Sequence, residues 1–386
     1  MKKILVIFTQ PIENNTSSMI RCRNIINILP EIGCKVVCYA PHPDVNSMYY
    51  DEKTEIADTI IVRRYGRGSL QIKNTLKEAD SVKKKILTGI YSVYKKIDLF
   101  GSSICYIKYK DSIIREISNE KYDMILSFSD PKSAHILAGA CKKKKKDLFY
   151  VQQWGDPLTE DITSKTLIPK WIRHFIEARL LKSADRVYYV SPLTCQNQKK
   201  QFKKYAEKMY FIPTPCEKKS YPDCKNTKIT IGYLGSYNLI ARDIRPFYNA
   251  ACECEECDFL IVGDSDLQLK DTDNVRVVQR VPQKELENYL ENLDILVCLL
   301  NSSGTQIPGK IYNYAGTNKE ILVIEDGEYG AQIREFFEQY NRYTFVRNSK
   351  EAIKKVLKAY VKNGIPARQC IEEFDAKHIA AKLIEN

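Results

Sequence analysis

Short apolar runs alternate with amphipathic segments along most of the chain. The first apolar run, Lys3–Phe8, is followed by an amphipathic segment from Ser17 to Ile32 and by a second apolar run at Lys35–Ala40. Strand-length runs that alternate with helical patterns predict βαβ units and a parallel sheet. Later strands of the first half are predicted at 60–63, 122–127, 148–152, 186–191 and 209–212.

A second series of the same kind follows a Pro-rich stretch. Pro213, Pro215 and Pro222 lie among Lys and Asn residues and mark a linker. Beyond it, strands are predicted at 229–234, 259–262, 275–278, 295–300 and 321–324. The sequence therefore predicts an α/β protein with two doubly wound, Rossmann-like domains, over 1–213 and 214–367, that face each other across a cleft. A length of 386 residues, more than one core usually spans, agrees with two domains.

The positive charge is concentrated in the first half of the chain. Residues 1–214 carry 37 Lys and Arg against 22 Asp and Glu, a net charge of +15, whereas residues 215–386 carry 23 against 26, a net charge of −3. We therefore expect the first half to meet an anionic partner or surface.

One long stretch, Leu70–Ser118, combines nine lysines with Leu, Ile, Val, Phe and Tyr. A basic amphipathic helix with aromatic residues on its apolar side is typical of a segment that lies on an anionic membrane. The same composition also describes a domain helix with a solvated lysine face. Both interpretations stay open at this point.

No apolar run reaches the length of about 18 residues that a membrane span requires. The chain begins with MKKILVIF, which enters a strand pattern directly and lacks the form of a signal peptide, so we expect a cytoplasmic protein. The 13 cysteines fit reduced, buried thiols. Cys252, Cys254 and Cys257 lie close in sequence but lack a fourth ligand, and no metal is expected there.

The segment Gly304–Gly316, GTQIPGKIYNYAG, lies between two apolar runs and contains several candidate ligand-binding residues. Its loop is expected at the carboxyl edge of a parallel sheet, where doubly wound folds bind ligands. Pro308 suits the first turn of a helix, and Lys310 and Asn313 would then share one face. A cation and an amide beside the free N–H groups of a helix start could hold a diphosphate. An ordinary helix start with a solvated lysine has the same pattern.

Other loops that follow predicted strands carry further candidates. Gly235 and Ser236 follow one strand, and Arg242 precedes a predicted helix cap, an arrangement that can hold phosphate. Asp156 lies on a Gly/Pro turn after a strand, where it could contact a ligand or cap the turn. His135 could reach the cleft as a base, although a structural role is the preferred interpretation.

The loop after the first strand, FTQPIENNTSS, lacks the G-x-G-x-x-G pattern of dinucleotide sites. That pattern lets the backbone approach a pyrophosphate closely, so a nicotinamide or flavin cofactor is not predicted there.

Several motifs, in their order and spacing, resemble one enzyme family. They are Tyr233-Leu234-Gly235, Leu260-Ile261-Val262-Gly263, the run from Val281 to Val297, and Ile307-Pro308-Gly309-Lys310-Ile311-Tyr312-Asn313-Tyr314. The chain is similar in these to the group 1 family of GT-B glycosyltransferases. The resemblance implies transfer of a sugar from a nucleotide diphosphate sugar, usually with retention and without a metal or other cofactor. It also implies that the second domain binds the donor, the first binds the acceptor, and a C-terminal helix, 368–386, packs back onto the first domain.

The resemblance assigns roles to particular residues. Gly235 and Arg242 would face the diphosphate, Lys310 would pair with phosphate, Val281 would lie by the nucleobase, and Asp156 would touch the acceptor or the transferred sugar. Charged groups aimed at the leaving diphosphate favour the transition state. The donor set that the resemblance implies also includes Ser236, Gly263, Thr305, Pro308 and Asn313.

Two positions depart from the family pattern. Where the family often has two glutamates eight residues apart, this chain has Thr305 and Asn313. The amide of Asn313 can still donate to and accept from a ribose hydroxyl, while Thr305 offers a hydroxyl in place of a carboxylate.

The predicted function is a hexosyltransferase-type glycosyltransferase that uses a UDP- or GDP-sugar and a glycan or lipid-linked acceptor in surface polysaccharide biosynthesis. We expect it at the inner face of the cell membrane, in peripheral contact through its basic first domain. The alternative is a catalytically impaired scaffold that binds a partner or membrane, motivated by Thr305 and Asn313. Nucleic-acid binding is not predicted, because no zinc-finger spacing or RNA-recognition signature is present.

Overall fold

The computed structural model describes residues 1–385 except 48, 67–96, 101–105, 163, 165, 223, 225 and 282, and describes only the backbone of residues 283 and 284. The chain divides into two compact units. The first unit comprises Met1–Pro213 together with Ala376–Asn386, and the second comprises Thr214–Asp375.

The first unit is built around a parallel sheet with helices on both faces. In the part that the structure describes, its strands are β1 Lys3–Ile7, β2 Lys35–Pro41, β3 Ile61–Tyr65, β4 Met124–Phe128, β5 Phe149–Trp154, β6 Arg186–Tyr189 and β7 Met209–Phe211. They lie in the order β3-β2-β1-β4-β5-β6-β7. Its helices are α1 Ser17–Ile26, α2 Lys110–Ser118, α3 Ser133–Lys144, α4 Lys170–Ser183 and α5 Pro192–Gln201, with a further helix at Ala376–Ile384.

The apolar runs of the first sheet are buried on both faces, as the crossover helices require. Leu5 and Ile7 belong to the core on one face, and Ile4 and Val6 to the core on the other. The helices begin where polar caps satisfy free N–H groups. The hydroxyl of Thr16, for example, accepts the N–H of Met19 at 3.3 Å at the start of α1.

The second unit repeats this architecture. Its described strands are β8 Ile229–Leu234, β9 Cys257–Val262, β10 Val275–Val278, β11 Ile295–Leu299, β12 Glu320–Glu325 and β13 Thr344–Arg347, in the order β10-β9-β8-β11-β12-β13. Its helices are α6 Arg245–Cys252, α7 Gln283–Glu291, α8 Lys310–Ala315, α9 Gly330–Glu338 and α10 Lys350–Asn363. The predicted α/β class with two Rossmann-like domains is thus confirmed.

In each sheet, the order in which the chain adds strands reverses at one neighbouring pair. The chain order reverses between β1 and β4 in the first sheet and between β8 and β11 in the second. Doubly wound folds bind ligands in the crevice at the carboxyl ends of such a pair. The topology therefore selects one edge position in each unit as the place to look for chemistry.

The C-terminal helix, α11 Ala376–Ile384, buries Ile379 and Leu383 in the first unit. It begins at Ala376, later than the position 368 from which a helix was expected. The preceding residues belong to the second unit, where Arg368 Nε bonds Glu320 Oε2 at 2.9 Å and the ring of Phe374 packs against that of Tyr312.

Among the helices that the structure describes, none is long and apolar enough to cross a bilayer. The predicted interfacial segment Leu70–Ser118 falls mostly on residues 67–96 and 101–105, which lie outside the described residues. Its described end forms α2, which buries Ile113 and Ile117 in the first unit.

Candidate functional site

Two glycines bring neighbouring loops into backbone contact at the carboxyl edge of the second sheet. Gly235 follows β8 and Gly263 follows β9, and the N–H of Gly235 donates to the carbonyl of Val262 at 2.7 Å. A Cβ placed on Gly263, whose φ is +156°, would lie 2.0 Å from the carbonyl oxygen of Gly235. Only glycine fits this approach, which fixes the position of the Gly235 turn.

The open side of Gly235 is covered by the stem of Lys310. A Cβ on Gly235 would lie 2.9 Å from Cε of Lys310 and 3.5 Å from the hydroxyl oxygen of Tyr233. The Tyr233 hydroxyl donates to the carbonyl of Ser236 at 2.9 Å and so holds the turn from beneath. The missing side chain at Gly235 therefore lets Lys310 reach the β8/β11 switch point.

Lys310 is a cation without a counter-charge. Its side chain is partly buried, and its ammonium makes no hydrogen bond or ion pair to any residue that the structure describes. Burial lowers the pKa of Lys310 to about 8, an effect that the positive charge of Arg242 reinforces and Cys298 opposes. Its ammonium lies 5.6 Å from the ring centroid of Tyr314. A desolvated cation of this kind gains most from an anionic ligand.

Arg242 is oriented by neutral groups. Its Nε donates to Oδ1 of Asn301 at 2.9 Å, and Nη1 lies 3.5 Å from the carbonyl oxygen of Ser236. Two backbone hydrogen bonds with Asn238, of 3.0 and 3.1 Å, fix its main chain. No carboxylate among the described residues forms an ion pair with the guanidinium. Its charge therefore remains available to a ligand.

Asn301, the residue that orients Arg242, was not among the predicted site residues. It comes directly after the apolar run of β11, and its Nδ2 also donates to the carbonyl of Gln306 at 2.9 Å. The next residue, Ser302, bonds the carbonyls of Ala241 at 2.9 Å and Ile240 at 2.6 Å. These bonds tie the Arg242 loop to the end of β11. A polar residue at a strand end was the sequence signal that could have revealed it.

Helix α8 differs from the expected phosphate cradle. It has six residues and begins at Lys310 rather than running on from Pro308. The N–H groups of Ile311 and Tyr312 bond the carbonyls of Pro308 at 3.1 Å and Gly309 at 3.2 Å. In this tight turn, the N–H groups of Ile311 and Tyr312 are thus already hydrogen-bonded, whereas free amides were expected at the helix start.

The remaining predicted donor residues take different positions. Asn313 is exposed, and its side chain makes no hydrogen bond to a described residue. Thr305 and Pro308 are buried in the loop that joins Asn301 to Lys310. Ser236 is exposed, and Val281, which follows β10, is partly buried. The structure therefore brings Gly235, Ser236, Gly263, Arg242 and Lys310 together through the contacts described above.

In the first unit, Asp156 belongs to a charged cluster around a buried lysine. Lys132 Nζ lies 2.6 Å from Oδ1 of Asp130 and 3.4 Å from Oδ2 of Asp161. Burial by itself lowers the pKa of Lys132, but the negative charges of Asp130, Asp161 and Asp156 raise it above the ordinary value. Asp156 therefore acts on this cluster electrostatically, a role that its turn position alone did not reveal.

This cluster lies at the β1/β4 switch point of the first sheet. The side chain of Gln10, after β1, donates to the carbonyl of Asp130, after β4, at 2.7 Å. A Cβ on Gly155 would lie 2.9 Å from Nη2 of Arg21 and 3.3 Å from Oδ2 of Asp130. Arg21 and Asp130 were not predicted as site residues from the sequence, because they come from α1 and from the loop after β4, which are far apart in the chain.

His135 is fully buried and does not present a base at this edge. Its Nδ1 lies 2.8 Å from the hydroxyl of Ser127, and its ring packs 4.5 Å from that of Trp154. Burial, with the charge of Lys132 as a second cause, lowers the pKa of His135 to about 3. In this environment, His135 is neutral and has a structural role.

Within the described residues, no group of three or more His, Cys, Asp or Glu lies close enough to hold a metal ion. Cys252, Cys254 and Cys257 are free thiols.

Comparison with known proteins gives structural matches only. No protein-family model matches the chain, and no curated protein matches it. HepE from Anabaena, solved with UDP and glucose, matches with a TM-score of 0.58 and 11% identity over 99% of this chain and 95% of that chain. A glycosyltransferase from Rickettsia africae has a TM-score of 0.60 and 13% identity over 99% and 92%.

AviGT4, a glycosyltransferase involved in avilamycin A biosynthesis, has a TM-score of 0.55 and 10% identity over 100% of this chain and 96% of that chain. Structural matches at identities of 10–13% show a shared fold. The two parallel sheets with their flanking helices give this chain the α/β fold of the GT-B glycosyltransferases.

Proposed function

We propose that this protein transfers a sugar from a nucleoside diphosphate sugar, and that the second unit binds the donor. The observation that carries the proposal is the pair Lys310 and Arg242. Both cations lie at the β8/β11 switch point, and neither forms an ion pair with a described carboxylate. A diphosphate would supply the negative charge that no described carboxylate gives to these two cations.

In the proposed reaction, negative charge develops on the leaving diphosphate. When the bond between the anomeric carbon and the diphosphate breaks, its electron pair stays on the diphosphate, and a bond forms from the acceptor hydroxyl oxygen to the anomeric carbon. The acceptor proton leaves with the diphosphate. Lys310 and Arg242, held in place beforehand, favour the more negative leaving group over the bound donor. We further propose retention of configuration and no metal requirement.

The choice of donor is proposed from the neighbours and from the loop residues. HepE is solved with UDP and with UDP-glucose, which supports a UDP-sugar as the first donor to test, before a GDP-sugar. Asn313, exposed beside Lys310 on α8, is proposed to bond the ribose, and Val281 to lie by the nucleobase. Thr305 is proposed to contact the sugar in place of a carboxylate.

The acceptor is proposed to bind the first unit. The Asp130–Lys132 cluster, with Asp156 beside it, offers carboxylates at a switch point, which suits hydroxyl groups of a glycan or lipid-linked acceptor. The net charge of +15 over residues 1–214 supports a peripheral location at the inner, cytoplasmic face of the cell membrane and a role in surface polysaccharide synthesis.

The second candidate is a scaffold that binds a nucleotide or membrane but transfers nothing. It is favoured by Thr305 and Asn313, which replace two carboxylates of the family pattern. Measurements of nucleotide binding and of sugar transfer separate the two candidates, because the scaffold would bind nucleotide but would not transfer sugar.

The test begins with UDP and GDP in a thermal-shift titration, where a ligand at 100 times its Kd adds about 2.7 kcal/mol to the free energy of unfolding. Release of the nucleoside diphosphate is then measured with a panel of sugar donors and with glycan and lipid-linked acceptors. Lys310→Ala should lose binding and turnover, while Lys358→Ala, a substitution of an exposed lysine on α10, should keep both.

Asp156→Asn should lower transfer to the acceptor and leave nucleotide binding unchanged. Absence of nucleotide binding in the parent protein would overturn the proposed function. Nucleotide binding without turnover for any donor would support the scaffold instead.

A further inference from the structure

A surface groove runs between α3 and α4 in the first unit. It has a volume of about 590 Å³, and Gly139, Ala178 and Ser183 are among its lining residues. The two helices approach closely at this point, since a Cβ on Gly139 would lie 3.0 Å from Oγ of Ser183. Small side chains keep the groove open to an occupant from outside the chain.

Three uncompensated positive charges line this groove. Lys143, Arg179 and Lys182 are exposed, and none of them makes a hydrogen bond or ion pair to a described residue. Lys142 is different, because its ammonium lies 2.7 Å from Oδ2 of Asp185. The groove therefore presents a local excess of positive charge that suits phosphate groups.

Exposed aromatic residues continue the same face of α4. Trp171 is 72% exposed and Phe175, which also lines the groove, is 64% exposed. They are four residues apart, as are Phe175 and Arg179, so the three lie along one side of the helix. Leu167, in the segment before α4, is 70% exposed. Large apolar side chains grouped in this way mark an interaction surface.

We propose that this face, Leu167, Trp171, Phe175, Arg179 and Lys182 together with Lys143, docks on an anionic lipid bilayer. The cations would bind lipid phosphates, and the apolar residues would enter the interface between headgroups and acyl chains. The inference rests on the proposed function, for which it supplies the surface of membrane contact. It assigns that surface to α4 and its neighbours, whereas the sequence had suggested the segment Leu70–Ser118.

Charge and residue type favour a bilayer over other occupants. A second copy of the chain would bring the same positive charges together. Single-stranded nucleic acid binds through cations and stacking aromatic rings, but the aliphatic Leu167 offers no ring for a base to stack on. An apolar edge beside phosphate-binding cations is the combination that a lipid surface matches.

The experiment uses the full chain and co-sedimentation with vesicles. One set is pure phosphatidylcholine, and the other contains about one third phosphatidylglycerol, at low and high salt. The tested variants are Trp171→Ala with Phe175→Ala, and Arg179→Glu with Lys182→Glu. The matched control is Lys355→Glu with Lys358→Glu, which reverses two exposed lysines at the same helical spacing on α10. UDP binding and Tm are measured for every protein.

We expect the parent and the control to bind the anionic vesicles, and to bind less at high salt. Arg179→Glu with Lys182→Glu should bind at least about tenfold more weakly, since each basic residue near an anionic surface contributes a factor of about five. Trp171→Ala with Phe175→Ala should also bind at least about tenfold more weakly, because it removes two large apolar side chains from the interface. Unchanged Tm and UDP binding would show that folding and the donor site are intact.

Vesicle binding by the groove variants that equals the control would overturn the docking proposal. If the parent protein does not bind the vesicles but binds a single-stranded RNA oligonucleotide, and the substitutions at the same four residues abolish that binding, the docking proposal is also overturned. A parent that binds UDP but not vesicles would reject the docking surface while leaving the proposed function in place. A parent that binds vesicles through α4 but does not bind UDP would reject the proposed function and leave the docking surface in place.

Discussion

The side chain of Lys310 lies against the α-carbon of Gly235, so that a methyl group at Gly235 would be 2.9 Å from Cε of Lys310. One residue follows β8 and the other opens α8 after β11, the two strands at which the second sheet reverses. The absence of a side chain at Gly235 thus determines where a cation sits at the switch point.

Substitution of Gly235 by Ala should weaken nucleotide binding more than it weakens the fold. The added methyl displaces the flexible end of Lys310 and meets no backbone atom, so we expect a stability loss below about 1 kcal/mol. The Kd for UDP should rise about tenfold, by loss of a well-placed charged contact. Calorimetric titration with UDP and thermal unfolding measure the two effects.

The matched control is Gly309→Ala. Gly309 has a helical φ of −57°, and a Cβ there meets nothing within 4 Å, so this variant should keep UDP binding and gain about 0.4–1 kcal/mol of stability. Equal UDP affinities for the two variants would contradict the role assigned to Gly235.

The lowered pKa of Lys310 predicts a pH-dependent affinity for UDP. The ammonium loses its proton as the pH rises through about 8 in the free protein, so UDP binding should weaken above that pH. In Lys310→Arg, the side chain stays charged, and the decline should disappear. Titration of the nucleotide itself would affect both proteins alike. A parallel pH profile for parent and variant would remove Lys310 from the binding site.

The same shift makes a separate prediction for stability in the absence of ligand. Since folding lowers the pKa of Lys310, the unfolded chain binds more protons in the interval from about 8 to the ordinary value of about 10.4. The contribution of Lys310 to stability therefore rises with pH across that interval. Lys310→Met should lack this rise, which denaturant titrations at several pH values would detect.

The hydrogen bond from Arg242 to Asn301 predicts that both the acceptor at position 301 and its lack of charge are needed for UDP binding. Asn301→Ala removes the acceptor at 2.9 Å, and the Kd for UDP should rise about tenfold as Arg242 loses its orientation. Asn301→Asp keeps an acceptor but neutralises the guanidinium, and should weaken UDP binding at least as much. UDP titrations of both variants would check this, and undiminished binding by Asn301→Asp would contradict a diphosphate beside Arg242.

In the first unit, Lys132 should be a strong determinant of stability. Lys132→Met removes the buried cation that lies 2.6 Å from Asp130 and 3.4 Å from Asp161, and should cost about 3 kcal/mol. Because folding raises the pKa of Lys132, its contribution is complete below about pH 10.4 and is lost only at higher pH. Lys144→Met, at an exposed lysine of α3, is the control and should unfold like the parent in urea. A Lys132→Met variant as stable as this control would contradict the prediction.

Local sequence patterns predicted most strands of the two sheets. Each predicted run matches its strand to within two residues at both ends, because strands buried on both faces have continuous apolar sequences. The run Thr344–Arg347 was missed, since this edge strand has only two adjacent apolar residues, Phe345 and Val346, between a threonine and an arginine. Gly235, Arg242 and Lys310 could be proposed from the sequence because each lies close to a predicted strand end or helix start.

By itself, then, the sequence determined the two βαβ series, the concentration of positive charge before residue 215, and the residue types at the strand ends. Only the tertiary structure decided which loops meet: it brought Asn301 to Arg242, Lys310 to Gly235, and Asp130, Asp161 and Asp156 to Lys132. It also shortened α8 and opened the groove beside α4. The reason is physical: periodicity reports how each residue is buried within its own element, whereas contacts between loops depend on strand order, which no local pattern encodes.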